Sequence, residues 1–278
     1  MKNLFCLENK TALITGGGGL LGEKHAEAIL EVGGNVILAD YSKERALNKA
    51  EALNSKFYGE RVSGCYMDVT DLSSIKEVCS QYDNVDILIN NAAKNPKVKS
   101  DSKEEWFSHK HFNRFETMPL EYFKEGLDVI VNGTFLVSQA IANKMIENKI
   151  NGVMLNISSD LSVIAPDQRI YKADPDESFD EQNVKPIFYS AAKWSVLGIT
   201  KYLSTYLSSK NIRVNSLSPG GVYDNHPSDF VSKLSNLIPL NRMANVDEYK
   251  GAVIFACSEA SSYMTGHNLI VDGGRSVW

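Results

Sequence analysis

The chain has 278 residues, of which 43% are hydrophobic and 23% charged, and a formal net charge of −5. That balance excludes a disordered, collagenous or disulfide-dense protein, and a chain of this size buries roughly 75% of its unfolded surface, enough to enclose a small-molecule site alone. A pI near 5.6 argues against nucleic acid or an anionic membrane as partner, and no membrane span is expected.

Cys6, Cys65, Cys79 and Cys257 have no C-x-x-C spacing. Neither a disulfide framework nor a metal knuckle is expected, and the cysteines read as reduced in a cytoplasmic protein. Met1 to Lys10 is broken by Glu8, Asn9 and Lys10 before a signal-peptide core forms. His109 and His111 are two apart, a spacing that does not place two ligands on one helical face, so no metal is expected.

In chain order, Thr11–Thr15 is a short apolar strand ending in Gly16-Gly17-Gly18-Gly19, and Leu21 to Val32 carries helix-spaced apolar residues. Gly33-Gly34 closes that helix and Asn35–Asp40 is a second strand stopping at an acid. Helix Lys43–Leu53, strand Val62–Met67, helix Leu72–Cys79 and strand Val85–Ile89 follow, then a long polar connection from Lys94 to Met118 over the mouth of the site. Next come a long helix from about Leu120 to Asn148, strand Gly152–Ile157, a second long connection from Ser162 to Pro186, and a helix through Tyr189 to Ser209. Strand Ile212–Leu217, a helical Asp247–Cys257 and a last strand Asn268–Val271 complete the series. Such alternation specifies a doubly wound α/β fold, a parallel sheet of about seven strands with helices on both faces. No linker or repeat divides residues 1–278, so one domain is expected.

Gly16, Gly19 and Gly22 lie between a strand and a helix, where backbone N–H groups and the helix dipole receive a pyrophosphate. Asp40 follows Gly22 by 18 residues, at the strand end where a carboxylate accepts both ribose hydroxyls of an adenosine and repels a 2′-phosphate. NAD is therefore expected over NADP, with Lys43 the nearest counter-argument. Tyr189 and Lys193 are four apart in YSAAK, on one helical face, so the ammonium favours the phenolate and makes Tyr189 a general acid/base. Ser158-Ser159 ends the preceding strand, where ligands of open α/β sheets bind.

With these pieces the chain resembles, over essentially its whole length, the short-chain dehydrogenase/reductase family. The resemblance rests on TGGGGLLG at 15 to 22, Asp40, Asp68-Val69, Asn90-Asn91-Ala92-Ala93, Asn156-Ile157-Ser158-Ser159, Tyr189 to Lys193, Ser218-Pro219-Gly220, Thr265-Gly266 and Asp272-Gly273-Gly274. It implies a single-domain Rossmann fold and hydride transfer to or from nicotinamide. Tyr189 would pass the proton, Ser159 hold the substrate oxygen, and Lys193 grip the nicotinamide ribose. Gly16, Gly19, Leu20, Leu21 and Gly22 would form the pyrophosphate turn. Asp68 and Val69 would meet adenine, Asn90 and Ala92 the ribose side, and Pro219, Gly220 and Val222 the carboxamide. A homodimer or homotetramer is implied.

The chain departs from the family at four places. Leu20 stands where single-domain members usually carry a second glycine, a spacing associated with members acting on nucleotide sugars. Ile130 stands where the family has a fourth catalytic residue, an asparagine, and Asn132 is about 200° away around a helix. Ser159 and Tyr189 are 30 residues apart, longer than usual; the excess falls in an acid-rich insert, Pro166 to Pro186, expected to form a flap beside the substrate. Asp224 replaces a common threonine.

APDQRIY at 165 to 171, SPGGVYDN at 218 to 225 and DGGRSVW at 272 to 278 are similar to a subgroup found with bacterial surface-sugar and flagellin-glycosylation pathways of the legionaminic-acid type. The substrate it implies is a sugar, sugar phosphate or nucleotide sugar, with Lys94, Lys97, Lys99 and Arg114 placed to receive a phosphate or carboxylate. The competing readings are a generic ketone or 3-oxoacyl reductase, and a weakly active NAD-binding scaffold assisting a partner enzyme, which Ile130 favours and the intact Ser159, Tyr189 and Lys193 oppose.

Overall fold

The computed structural model describes residues 3–95, 113–172, 176, 178–179 and 182–278. Its strands are β1 (Thr11–Thr15), β2 (Asn35–Asp40), β3 (Val62–Tyr66), β4 (Ile87–Asn90), β5 (Val153–Ile157), β6 (Arg213–Pro219) and β7 (Asn268–Val271). All pair in parallel, in the order β3-β2-β1-β4-β5-β6-β7. Because side chains alternate across a strand, neighbouring apolar residues serve opposite faces. Ile14, Leu38, Ile89 and Leu155 pack beneath α1 (Leu20–Glu31) and, late in the chain, Lys250–Cys257. Leu13, Ile37, Leu88 and Met154 pack on the other face. The strands are apolar on both sides because both sides are covered.

The helices start where the local chemistry lets them. Ser42 accepts from the Arg45 N–H at 3.3 Å to open α2 (Lys43–Lys56), and Asp71 caps α3 (Leu72–Gln81) through the Ser73 and Ser74 N–H groups. The single helix expected from Leu120 to Asn148 is interrupted. α4 (Leu120–Leu127) passes through a π-helical turn, Asp128–Asn132, into α5 (Gly133–Glu147). The turn sits between two close approaches: a Cβ on Gly126 would lie 2.2 Å from the Phe188 ring, and one on Gly133 would lie 2.7 Å from Val69. Leu120–Glu147 is long and apolar enough to cross a membrane by length and composition, yet Val137, Ile141 and Met145 are buried against the sheet.

The remaining helices are α6 (Ile187–Tyr206), α7 (Ser228–Ser235) and α8 (Lys250–Cys257). α7 falls outside the expected elements; its Phe230 and Leu234, four apart, carry the buried face. Glu27 of α1 binds its neighbours together, since its buried carboxylate meets Lys24 at 3.1 Å, Lys56 of α2 at 2.7 Å and Lys250 of α8 at 2.6 Å. The strand order reverses between β1 and β4, so the crevice at the carboxyl ends of those strands is where a ligand binds in such a sheet.

Candidate active site

A cavity of about 480 Å³ opens at that crevice. Its dinucleotide end is built from backbone. Gly16 sits at φ +62°, and a Cβ on Gly22 would lie 2.3 Å from the Gly16 carbonyl oxygen, so both glycines are required for the turn to close onto α1. Gly16, Gly19, Leu20 and Leu21 line the cavity, as do Ala92, Pro219, Gly220 and Val222. Gly22 lies behind the turn and does not line it.

Asp40, buried at the end of β2, also lines the cavity. Its carboxylate accepts from the Gly18 N–H at 3.0 Å, the Ser42 N–H at 2.9 Å and the Arg45 guanidinium at 2.8 Å. Arg45, a cavity residue itself, is a counter-charge that lies beyond the Gly16 to Gly22 stretch, where the sequence offers neither Lys nor Arg.

Three expected cofactor contacts sit elsewhere. Asn90 points into the sheet, donating to Ser138 at 2.9 Å and Asn156 at 2.8 Å. Asn91 lines the cavity in its place, and its side-chain amide donates to the Thr15 and Gly16 carbonyls at 3.0 and 3.1 Å. Consecutive residues leaving a strand face opposite ways, which makes Asn91 the one that sees the crevice. Asp68 accepts from the N–H and hydroxyl of Thr70, Val69 is buried against Gly133, and neither lines the cavity.

At the catalytic end Ser159, Tyr189 and Lys193 all line the cavity, with the Lys193 ammonium 5.8 Å from the centre of the Tyr189 ring. Lys193 donates to the Ile157 carbonyl at 2.7 Å, and Ser158 donates to the Lys193 carbonyl at 2.8 Å, tying α6 to the end of β5. Burial pushes the Tyr189 phenol up to about 12, an effect that Ser159 opposes and Asp160 reinforces. Burial pulls Lys193 down to about 7, helped by the positive charge of Lys185.

Sequence reasoning missed the charged shell behind these residues. Ser159 donates to Asp160 at 2.9 Å, and the other oxygen of Asp160 accepts from Arg275 at 2.7 Å in a buried ion pair. Arg275 thus ties the C-terminal segment to the end of β5, and Trp278 beyond it donates to the Leu237 carbonyl at 3.1 Å. Lys185 lines the cavity and lies 3.9 Å from the centre of the Tyr189 ring. Its nearest signal was the length of the insert, whose Ile170 and Tyr171 line the cavity too.

Of the basic residues proposed to receive an anion, neither Lys94 nor Arg114 lines this cavity. Lys94 is paired with Glu125 over the Tyr122 ring, and Arg114 donates to the Phe179 carbonyl at 2.7 Å beside a separate space of about 310 Å³. Lys97, Lys99, His109 and His111 lie outside the described residues. Ile130 is 1% exposed and packs with Leu161, Phe188 and Tyr189. Asn132 donates instead to Asp128 at 2.6 Å on the exposed side, so no asparagine of that turn faces Tyr189. Asp224 lines the cavity, and its backbone N–H donates to His226 at 3.1 Å. Among the described residues no cluster is suited to a metal.

The donor set fits a dinucleotide. The N-terminus of α1 supplies N–H groups beside a turn that has no side chains to obstruct a pyrophosphate, and the far end supplies a hydroxyl, a phenol and an ammonium. Comparison with known proteins agrees. The short chain dehydrogenase family model matches residues 10–173, and an enoyl-(acyl carrier protein) reductase model matches residues 178–276. The chain is 31% identical to a 3-oxoacyl-(acyl-carrier-protein) reductase of Aquifex aeolicus, over 96% of this chain and 98% of that one. It is 28% identical to a D-threitol dehydrogenase of Mycolicibacterium smegmatis, over 98% and 95%. A crystal structure of a short chain dehydrogenase from Leptospira borgpetersenii with bound NAD+ superposes with a TM-score of 0.81 at 32% identity, covering 100% of this chain and 97% of that one. A gluconate 5-dehydrogenase from Burkholderia cenocepacia, in complex with NADP and tartrate, superposes at 0.79 and 26% identity, covering 99% and 98%. With the family model matched over residues 10–173 and a reductase 31% identical over nearly the whole chain, the chain belongs to the short-chain dehydrogenase/reductase family.

Proposed function

We propose that this oxidoreductase uses NAD to move a hydride to or from a sugar-like alcohol or ketone: a sugar, sugar phosphate or nucleotide sugar. The reaction class, dehydrogenation or reduction at an alcohol or ketone, is that of the family. When bound, nicotinamide supplies the hydride acceptor or donor. Tyr189 is then the general acid/base at the substrate oxygen, Ser159 holds that oxygen, and Lys193 grips the nicotinamide ribose and favours the phenolate. The observation that carries this reading is that Ser159, Tyr189 and Lys193 all line the cavity.

The sugar-like substrate is supported by the polar residues that line the cavity with them, Asn95, Tyr171, Lys185, Asp224 and His226. It also agrees with relatives named for polyols and sugar acids, and with the resemblance to enzymes of surface-sugar synthesis. One observation favours a second reading, a generic ketone or 3-oxoacyl reductase. Ile170, Phe230, Leu234 and Met243 form an apolar side of the same cavity, suited to an acyl chain.

NAD is preferred because Asp40 is fixed in place. Two backbone N–H groups and Arg45 hold its carboxylate, and a 2′-phosphate would have to share Arg45 with it. A homodimer or homotetramer is supported by the exposed Trp194, Tyr202 and Tyr206 along α6 and Phe135 on α5.

Calorimetric titration with NAD and NADP, on wild type and Asp40→Ala, tests the cofactor. NAD should bind more tightly to wild type, and the substitution should narrow the gap; tighter NADP binding to wild type would overturn the assignment. An NADH-absorbance screen of polyols, sugar acids, sugar phosphates, nucleotide sugars and a 3-oxoacyl thioester tests the substrate. Turnover that survives Tyr189→Phe would sink the proton-transfer role.

A further inference from the structure

The insert between Ser159 and Tyr189 ends by placing a second ammonium on the phenol. Lys185 Nζ is 3.9 Å from the centre of the Tyr189 ring, whereas Lys193 Nζ is 5.8 Å from it. Lys185 is held from two directions. Its backbone N–H donates to the Gln168 side-chain oxygen at 2.8 Å, the Gln168 amide returns a bond to its carbonyl at 3.4 Å, and its Nζ donates to Asn95 at 2.6 Å. Among the described residues no carboxylate lies within ion-pair distance of it. A cation over an aromatic face is attracted by the neutral ring, and more strongly by a phenolate, whose charge spreads into the ring.

Resting on the reading of Tyr189 as the proton-transfer group, we propose that Lys185 is a positioning residue that lowers the proton affinity of Tyr189 through the face of its ring, in concert with Lys193. The acid-rich insert thereby carries this charge to the start of α6 and fixes it there through Gln168.

The other charges facing the ring do not do this work. Asp160 opposes ionisation of Tyr189 but is neutralised by Arg275 at 2.7 Å. Tyr171 is a phenol held protonated chiefly by its own burial. Lys193 lies farther from the ring and is anchored to the Ile157 carbonyl, while Asp224 and His226 belong to the segment after β6. Burial pulls Lys185 itself down to about 8, so the charge that favours the phenolate is present at neutral pH and fades above it.

The test needs no substrate. Phenolate absorbance is titrated in the full-length protein, wild type, Lys185→Gln and Lys185→Arg, each subtracted from its own Tyr189→Phe counterpart so that the difference isolates Tyr189. Lys185→Arg, whose charge persists at the alkaline midpoint of Tyr189, should place that midpoint about 1–3 pH units below that of Lys185→Gln. Lys185→Met, which keeps the apolar stem, gives the same reading if the glutamine variant folds poorly. Equal midpoints in Lys185→Arg and the uncharged variants would overturn the inference and leave Lys185 as a pin between the insert and Asn95. The reading beneath it fails separately, by turnover that persists in Tyr189→Phe.

Discussion

The two ends of the cavity are built by different means. The dinucleotide end is largely backbone: a glycine turn, the start of α1, the tips of β1 and β4, and Pro219 and Gly220 at the end of β6. The catalytic end is charge drawn together from distant segments, with Asp160 after β5, Lys185 from the insert, held by the neutral amide of Asn95 after β4, and Arg275 from the C-terminus. A backbone site fails when atoms are added. A charged site fails when a partner is removed, because the remaining charge stays buried.

Arg275→Ala is the largest expected break. It leaves Asp160 buried and unpaired beside Ser159, and should cost about 3–5 kcal/mol in urea unfolding. Asp160→Asn added to the same chain should return much of that loss; an additive double variant would show that the pair is not coupled. Gly22→Ala comes next. Its Cβ would lie 2.3 Å from the Gly16 carbonyl oxygen, and overpacking of this kind costs about 1–3 kcal/mol, with weaker NAD binding by calorimetry. An unaltered NAD affinity would contradict the backbone account of that end.

Glu27 tests a charged cluster remote from the cavity. Burial opposes its ionisation, but Lys250, Lys56 and Lys24 outweigh burial and hold the carboxyl down to about 2. Since the folded value lies below the ordinary one, its stabilisation is complete above about pH 4.5 and is lost as pH falls towards 2. Thermal midpoints of Glu27→Gln should therefore lie below wild type at pH 7 and converge with it in acid; parallel curves would show that the cluster contributes nothing. The smallest effect is expected at Gly198, an exposed position inside α6 where a Cβ meets nothing within 4 Å. Gly198→Ala should stabilise by about 0.5–1 kcal/mol, unless the face is covered by a second subunit, in which case the change reads out as altered oligomer mass.

Legibility divides along the same line as the architecture. Strands such as Asn35–Asp40, and the glycine turn, are local patterns of apolar periodicity and punctuation, so they were readable with their bounds nearly intact. The spacing of Tyr189 and Lys193 was readable for the same reason. Helix interruption at Asp128–Asn132 was not; it lies between the approach of Phe188 to Gly126 and of Val69 to Gly133, contacts between residues far apart in the chain. Nor was the choice between Asn90 and Asn91, which hangs on which side chain leaves β4 toward the crevice.

By itself, then, the order of residues determined the alternating α/β pattern, the glycine turn with its acid at Asp40, and the four-residue step from Tyr189 to Lys193, since each is encoded in short-range spacing. Only the tertiary structure decided the charged shell. Arg275 meets Asp160 across 115 residues and Lys185 meets Asn95 across 90, and Arg45 reaches Asp40 only once β2 and α2 are packed. Coulombic partnership depends on distance in space, and the fold alone sets that distance.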